Sequence, residues 1–495
     1  MSEEQHIEEK KAAAPAGKPQ DKSRVNRMGT GSIPKLVVEF AVPAILGMLV
    51  NGAYNLIDSV FLGHGAGEIG LSTMTVASPT MTLFLALSML IGAGGNALCA
   101  LRLGEGKHDE AENILGNSFT LALLVSVGFA VCAHIPAFIE PLLTMSSATD
   151  AVRPYARSFI QIISLGCAFQ VIGMGINNFI RTAGAPNRAL MTMVIGAVMC
   201  TVFNAIFVLG MGLGVVGSAW ATVCGQAFSC VSVLWYFLKT PGVPLRLHKR
   251  YLRLKGKLVK GILSLGLASF AVQVGAVAVN IVVNFVLVKH GAQSPIGSEN
   301  ALASIGVVQR VAMFIVLPLI GVSIAVQPLL GFNYGAKLFR RVKTTLKVGM
   351  LGATILGTTA WVLLMIFAPQ VVAFFGIQEQ SLVDFTAFAL RVQLAMLPLV
   401  GSQIVGSNYF QATGQPAKSI ALSLTRQILF LVPMLLVLPE VLPRIIPSLT
   451  SLDAVYFSTP VADALSILVT GTFVLREWRK LTKRIKQQDA AKKAA

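Results

Sequence analysis

The sequence predicts an all-α integral membrane protein with about twelve transmembrane helices in two pseudo-symmetric six-helix lobes. Three observations predict it. First, 54% of the 495 residues are hydrophobic and only 13% are charged, where soluble domains carry about 25% charged residues; the mean hydropathy is +0.71. Second, apolar runs of about 20 residues or more, long enough to cross a bilayer, recur along the whole chain. Third, the second half repeats the first. Asn51 returns as Asn280 and Ile91-Gly92 as Ile320-Gly321, each 229 residues on, and Ile176–Pro186 (INNFIRTAGAP) returns as Gly406–Pro416 (GSNYFQATGQP), 230 residues on. One register held through spans and loops marks a duplication. Six spans per half is an even number, so the halves share one orientation about an axis along the membrane normal.

Residues 1–32 are polar, with Glu3, Glu4, Glu8 and Glu9 followed by Lys10 and Lys11. With no apolar run and no cleavage site, they read as a disordered cytoplasmic tail rather than a signal peptide. An N-terminal lobe over 33–239 holds spans near 34–62, 73–103, 113–138, 154–183, 188–211 and 214–239. A basic linker, 240–258, leads to a C-terminal lobe over 259–480, with spans near 259–288, 300–335, 343–367, 383–413, 417–438 and 454–478. A basic tail, 481–495, follows. Spans longer than the bilayer requires imply tilt.

Basic residues orient the chain. Arg102 and Lys107 follow the second span, Arg181 and Arg188 flank the loop after the fourth, and Arg246, Lys249, Arg250 and Arg253 fill the linker. Lys337, Arg340 and Arg341 follow the eighth span and Lys418 the tenth. By the positive-inside rule both termini are cytoplasmic, and the chain is a multi-pass protein of a bacterial inner membrane. The net charge of +18 lies in these loops and the tail without stacking aromatics, so no nucleic-acid partner is expected.

Glycines at chain reversals carry structure rather than chemistry. Gly106 and Gly335 are placed to make tight turns, and Gly184-x-Pro186 and Gly414-x-Pro416 to stop one helix and start the next. The six cysteines lie in apolar runs without a CxxC pair, so they read as packing residues.

Asp58 is the first chemical candidate. An ionised carboxylate inside a bilayer costs at least about 2.5–3.5 kcal/mol and marks a cavity, a partner or a transported ion. Asn51 and Asn55 share its helix face at i, i+4 and i+7. Asn280 and Asn284 repeat the asparagines in the second half, where Leu287 replaces the acid, and all four asparagines are candidates for the substrate cavity. Asn177, Asn178, Gln309 and Asn408 are polar amides inside spans that either line the substrate cavity or hold helices together. Arg310, Arg391, Arg426 and Asp463 are second-half charges that either pair with one another or relay charge.

The runs YNLIDSVFLG, LSMLIGAGGNALCALRLGEGKHDEA, NNFIRTAGAPNRA, GVVGSAWATV and VQPLLGFNYGAKLFRRVK resemble the multidrug and toxic compound extrusion (MATE) family, its MepA-like and DinF-like bacterial branch in particular. The resemblance covers about residues 33–480. It implies two lobes forming a V, export of cationic amphipathic drugs, and coupling to inward proton or sodium flow without ATP. The absence of a GxxxxGK[ST] loop agrees with the last point. It further implies that Asp58 is the cation-responsive acid of the first helix and that Thr222 is a hydroxyl able to help hold a cation. The fifth helix departs from the family pattern: Cys200 and Asn204 stand where an asparagine and a second acid are usual.

That departure favours protons. Sodium prefers several hard oxygen ligands, whereas Cys200 offers a soft sulfur and only one carboxylate remains. A proton needs one carboxylate. The expected protein is therefore a monomeric proton-coupled drug exporter, with membrane lipids around it and no cofactor, metal or catalytic residue. A lipid-linked oligosaccharide flippase of the same superfamily is the alternative, kept open by Arg310, Arg391 and Arg426. A membrane enzyme is a remote third, because His6, His64, His108, His134, His248 and His290 are isolated along the chain.

Overall fold

The computed structural model describes residues 20–146, 148–292, 296–375 and 379–494. Among them there is no strand. Helix α1 (Gln20–Thr30) is followed by α2 (Ile33–Gly104), α3 (His108–Ala133), α4 (Pro136–Met145) and α5 (Arg153–Gln170). A π-helical turn at 171–176 joins α5 to α6 (Asn177–Thr182), and α7 (Pro186–Asn204) runs into a second at 205–210. α8 (Gly214–Lys239) closes the first half. The second half comprises α9 (Gly256–Gly291), α10 (Ser298–Gly335), α11 (Phe339–Phe374), α12 (Gln380–Gln393), α13 (Leu397–Ala412), α14 (Pro416–Leu424), α15 (Val432–Ile445) and α16 (Ser451–Ala494). A third π segment at 425–431 joins α14 to α15.

Ten of these helical stretches are long and apolar enough to span a bilayer, and the pair α12 and α13, bent by 41°, makes an eleventh. The 72-residue α2 supplies the twelfth, because Gly67 breaks it at φ 58° and ψ −143°. Only glycine takes that conformation cheaply. The arms 33–66 and 68–104 fold back on each other, with Ser59 donating to Met74 Sδ at 3.3 Å. Large apolar side chains such as Trp235, Phe285 and Leu468 point outward and are more than 60% exposed, which suits a surface solvated by lipid rather than water.

The first and last described helices pack at one face of the molecule. Asn333 Nδ2 donates to Met28 O at 3.0 Å, Arg341 Nη2 donates to Gly31 O at 2.7 Å, and Arg340 pairs with Asp489 at 2.7 Å. This basic face also holds the linker, where Asn117 takes a bond from Lys255 N at 2.7 Å. The two halves meet near it through glycines. A Cβ at Gly266 would strike the Leu90 carbonyl, one at Gly94 would strike Ile262, and one at Gly104 would strike Phe332. Small residues let helix backbones touch in this way. Towards the opposite face the close neighbours of Gly63, Gly65, Gly70 and Gly217 all belong to the first half. The halves therefore join at the basic face, and contact between them continues along the helices as far as Gly52, whose Cβ would meet Leu317.

Several expectations are corrected here. Residues 20–30 are helical rather than disordered, since Val25 and Met28 are buried and Arg27 reaches Glu39 at 3.0 Å; residues 1–19 lie outside the described residues. The basic tail from 481 continues the helix of the last span, with Leu481 buried, which adds to the expectation for it without correcting it. Gly106 makes its turn at φ 77°, but Gly335 does not. Gly335 instead allows contact with the Leu101 backbone, and Lys337, at φ 58°, takes the turn.

Candidate functional site

A cavity of about 490 Å³ opens within the first half, bounded by α2, α5 to α8 and by Met313 and Ile324 of α10. Seven methionines line it: Met48, Met74, Met81, Met89, Met174, Met193 and Met313. Thioether side chains are flexible and polarisable, and they repack around ligands of different shape. Asn51, Tyr54, Asn55, Asn177, Asn178, Gln170 and Gln226 place amides and a phenol among them. The 171–176 π turn contributes Gly173 and Met174 to the wall. Its widened spiral changes which side chains face inward, and such turns recur at functional sites.

Asp58 lies just behind this wall and is 2% exposed. Asn204 Nδ2 donates to Asp58 Oδ1 at 2.9 Å, and Ser218 Oγ donates to the same oxygen at 3.1 Å. Asn204 Nδ2 also reaches Cys200 Sγ at 3.3 Å. Tyr54 stands one helical turn before Asp58 on the same helix face. Tyr54 and Cys200 line the cavity, so they connect the acid to it. Asn204 Oδ1 is buried and accepts no hydrogen bond from the described residues. The Thr222 hydroxyl is likewise buried and makes no hydrogen bond among the described residues.

The remaining candidates separate. Asn177 donates to Ala189 O at 2.9 Å and to Thr192 Oγ1 at 2.5 Å, which binds α6 to α7 at the cavity edge. Asn280, Asn284, Gln309 and Asn408 do not line this cavity. Gln309 donates to Asn280 at 3.1 Å, Asn284 is exposed, and Asn408 donates to Ser323 at 2.8 Å as helix glue. The duplicated asparagines lack the acid that organises the first-half cluster, because Leu287 is buried in an apolar core. Arg426 pairs with Asp463 at 2.8 Å, Arg391 donates to Met365 O at 3.1 Å, and Arg310 is exposed. None of these three arginines reaches the cavity.

Sequence reasoning missed the part that three residues play in the site. Tyr54 lies at i−4 from Asp58 and Ser218 at i−4 from Thr222, so helical spacing marked both. Arg181 is corrected: it is no loop cation but a cavity residue, 2% exposed. Its spacing from Asn177 and Asn178 put it on their face.

Beneath the cavity, Asn96 Nδ2 donates to Gln327 Oε1 at 3.2 Å across the halves, and Thr182 donates to Asn96 Oδ1. All three side chains of this clasp are buried.

The pattern of one family, MatE, matches residues 43–206 and 268–436. The multidrug export protein MepA of Staphylococcus haemolyticus is 22% identical over 451 residues, covering 91% of this chain and 95% of that protein. MepA of Staphylococcus aureus (strain N315) is 21% identical over 381 residues, covering 77% and 82%. Among solved structures, the MATE multidrug transporter DinF-BH, in complex with a ligand, is 32% identical at a TM-score of 0.81, covering 90% of this chain and 96% of that one. An outward-facing multidrug resistance MATE transporter of the MOP superfamily is 24% identical at a TM-score of 0.83, covering 92% and 98%.

Proposed function

On the premise that this chain belongs to the MatE family, we propose that it is a secondary multidrug exporter that exchanges cationic amphipathic compounds for protons. The observation that carries this reading is the buried Asp58, held by Asn204 and Ser218 and joined through Tyr54 and Cys200 to a methionine-lined cavity. The names of the relatives, the multidrug export protein MepA and the multidrug transporter DinF-BH, support the substrate class.

In this reading the basic face is cytoplasmic. The cavity opens outward while the Asn96–Gln327 clasp and the glycine contacts seal the inner side. A proton from outside neutralises Asp58. The acid then has an O–H, and the unpartnered Asn204 Oδ1 is an acceptor beside it. Together with the existing Asn204 N–H bond this would make a cyclic acid–amide pair. Protonation removes the charge that favours a cationic drug, so proton and drug alternate at one site. Rocking of the halves that parts the clasp and the basic-face contacts exposes the cavity inward, where Asp58 loses its proton and a drug enters.

The test is an efflux-deficient bacterial host with and without the protein, scored for resistance to several unrelated cationic compounds. Resistance to the set is expected. Unchanged susceptibility despite membrane expression would contradict the reading.

A further inference from the structure

Among the described residues lining the cavity, Arg181 is the single Asp, Glu, Lys or Arg. The formal charge on the wall is therefore positive, although the proposed substrates are cations. Arg181 as a whole is 2% exposed. Its Nη1 donates to Asn178 Oδ1 at 2.7 Å and its Nη2 approaches Met193 Sδ at 3.5 Å. Its Nε is buried without an acceptor among the described residues. No described carboxylate lies within ion-pair distance of it, whereas Arg426 in the other half is matched by Asp463. An amide oxygen and a thioether carry no charge, so the buried cation is uncompensated. Such a group is costly unless an anion reaches it.

The position adds a direction. Met193 packs on Gly47, at the level of Arg181. Asp58 stands eleven residues further along that arm of α2, about 16 Å away at the helical rise. The cavity thus has a guanidinium at the basic-face end and a carboxylate behind its far end.

We infer that Arg181 binds an anionic oxygen group of the transported molecule, a carboxylate in particular, so that the cavity selects amphiphiles carrying an acid as well as a cationic centre. The planar fork of arginine suits a carboxylate, which can take the free Nε–H together with an Nη–H. The acid would point towards the basic face and the cationic part towards Asp58. This rests on the exporter reading of the same cavity and adds the chemistry of one end of its substrate.

A matched dye pair tests it: a rhodamine as its free acid, which carries both a cation and a carboxylate, and as its ethyl ester, which keeps the cation alone. Binding of each to the purified full-length protein is followed by fluorescence polarisation. The wild type is expected to bind the acid about tenfold or more tightly than the ester, as a charge-assisted hydrogen bond supplies. In Arg181→Gln the acid-to-ester ratio should fall to near one, and in Arg181→Lys it should keep part of its value. Equal affinities in the wild type, or an undiminished ratio in Arg181→Gln, would overturn the inference. Should Arg181→Gln fail to fold, the wild-type ratio and the Arg181→Lys variant decide it. An ester bound and exported without preference for the acid sinks this inference alone. Failure of both dyes to bind sinks the exporter reading with it.

Discussion

Asp58 and Asn204, 146 residues apart in the chain, meet through an N–H donated by the amide to the carboxylate at 2.9 Å. The bond crosses from the first arm of α2 to the end of α7, and it sets an acid one side chain behind a cavity wall.

Replacing Asp58 with Asn keeps the shape of the side chain and removes its charge. Dye efflux from cells should fall to the level of cells lacking the protein while the amount in the membrane stays unchanged. Full export by Asp58→Asn would make the acid a packing residue only.

Asn204→Leu should harm export more than Ser218→Ala. The amide supplies the shorter bond to Asp58 and a free acceptor beside it, and hydrogen bonds to charged groups are worth about 1.5–3 kcal/mol. Efflux rates of the two variants at equal expression compare them. Equal loss would mean that the amide does no more than the hydroxyl.

How much of this site was legible in the sequence follows from the physics of helices. Asp58 stood out because charge in an apolar run is expensive, and helical spacing put Asn51 and Asn55 beside it. The partners across the cavity were not legible from spacing alone, since helices far apart in sequence meet only after folding. Arg181 was misread because an arginine near the end of a span looks like a loop charge, yet its side chain is buried at the cavity wall. Asn408, Asn280 and Gln309 shared the residue types of the first-half cavity without its acid, and the structure uses Asn408 to hold helices. The spans and the duplication were plain, because hydropathy and register are written along the chain. The helix at 20–30 was not, because two buried residues, Val25 and Met28, are too few for a periodic signal.

Contacts between the halves are tested by volume. Gly266→Val should lower the melting temperature in detergent, because the added carbons meet the Leu90 carbonyl; overpacking of this kind costs about 1–3 kcal/mol. Gly306→Val, at a site with nothing within 4 Å, should leave it nearly unchanged. Equal melting of both variants would remove the glycine contacts from the account of how the halves join.

Orientation is tested with single cysteines in a background lacking the six native ones. A cysteine at Gly67, at the break of α2, and one at Arg250, in the basic linker, should react with an impermeant thiol reagent from opposite sides of the membrane. Labelling of both from outside would reverse the assignment of the basic face to the cytoplasm.

The central claim, that one carboxylate exchanges a proton for a drug, is tested most directly in vesicles of purified protein. Export of a cationic dye is measured under an imposed pH gradient without sodium, and then under a sodium gradient with the pH gradient collapsed. The account predicts export in the first arm, its loss on collapse of the gradient, and none in the second. Export driven by sodium alone, indifferent to the proton gradient, would contradict it.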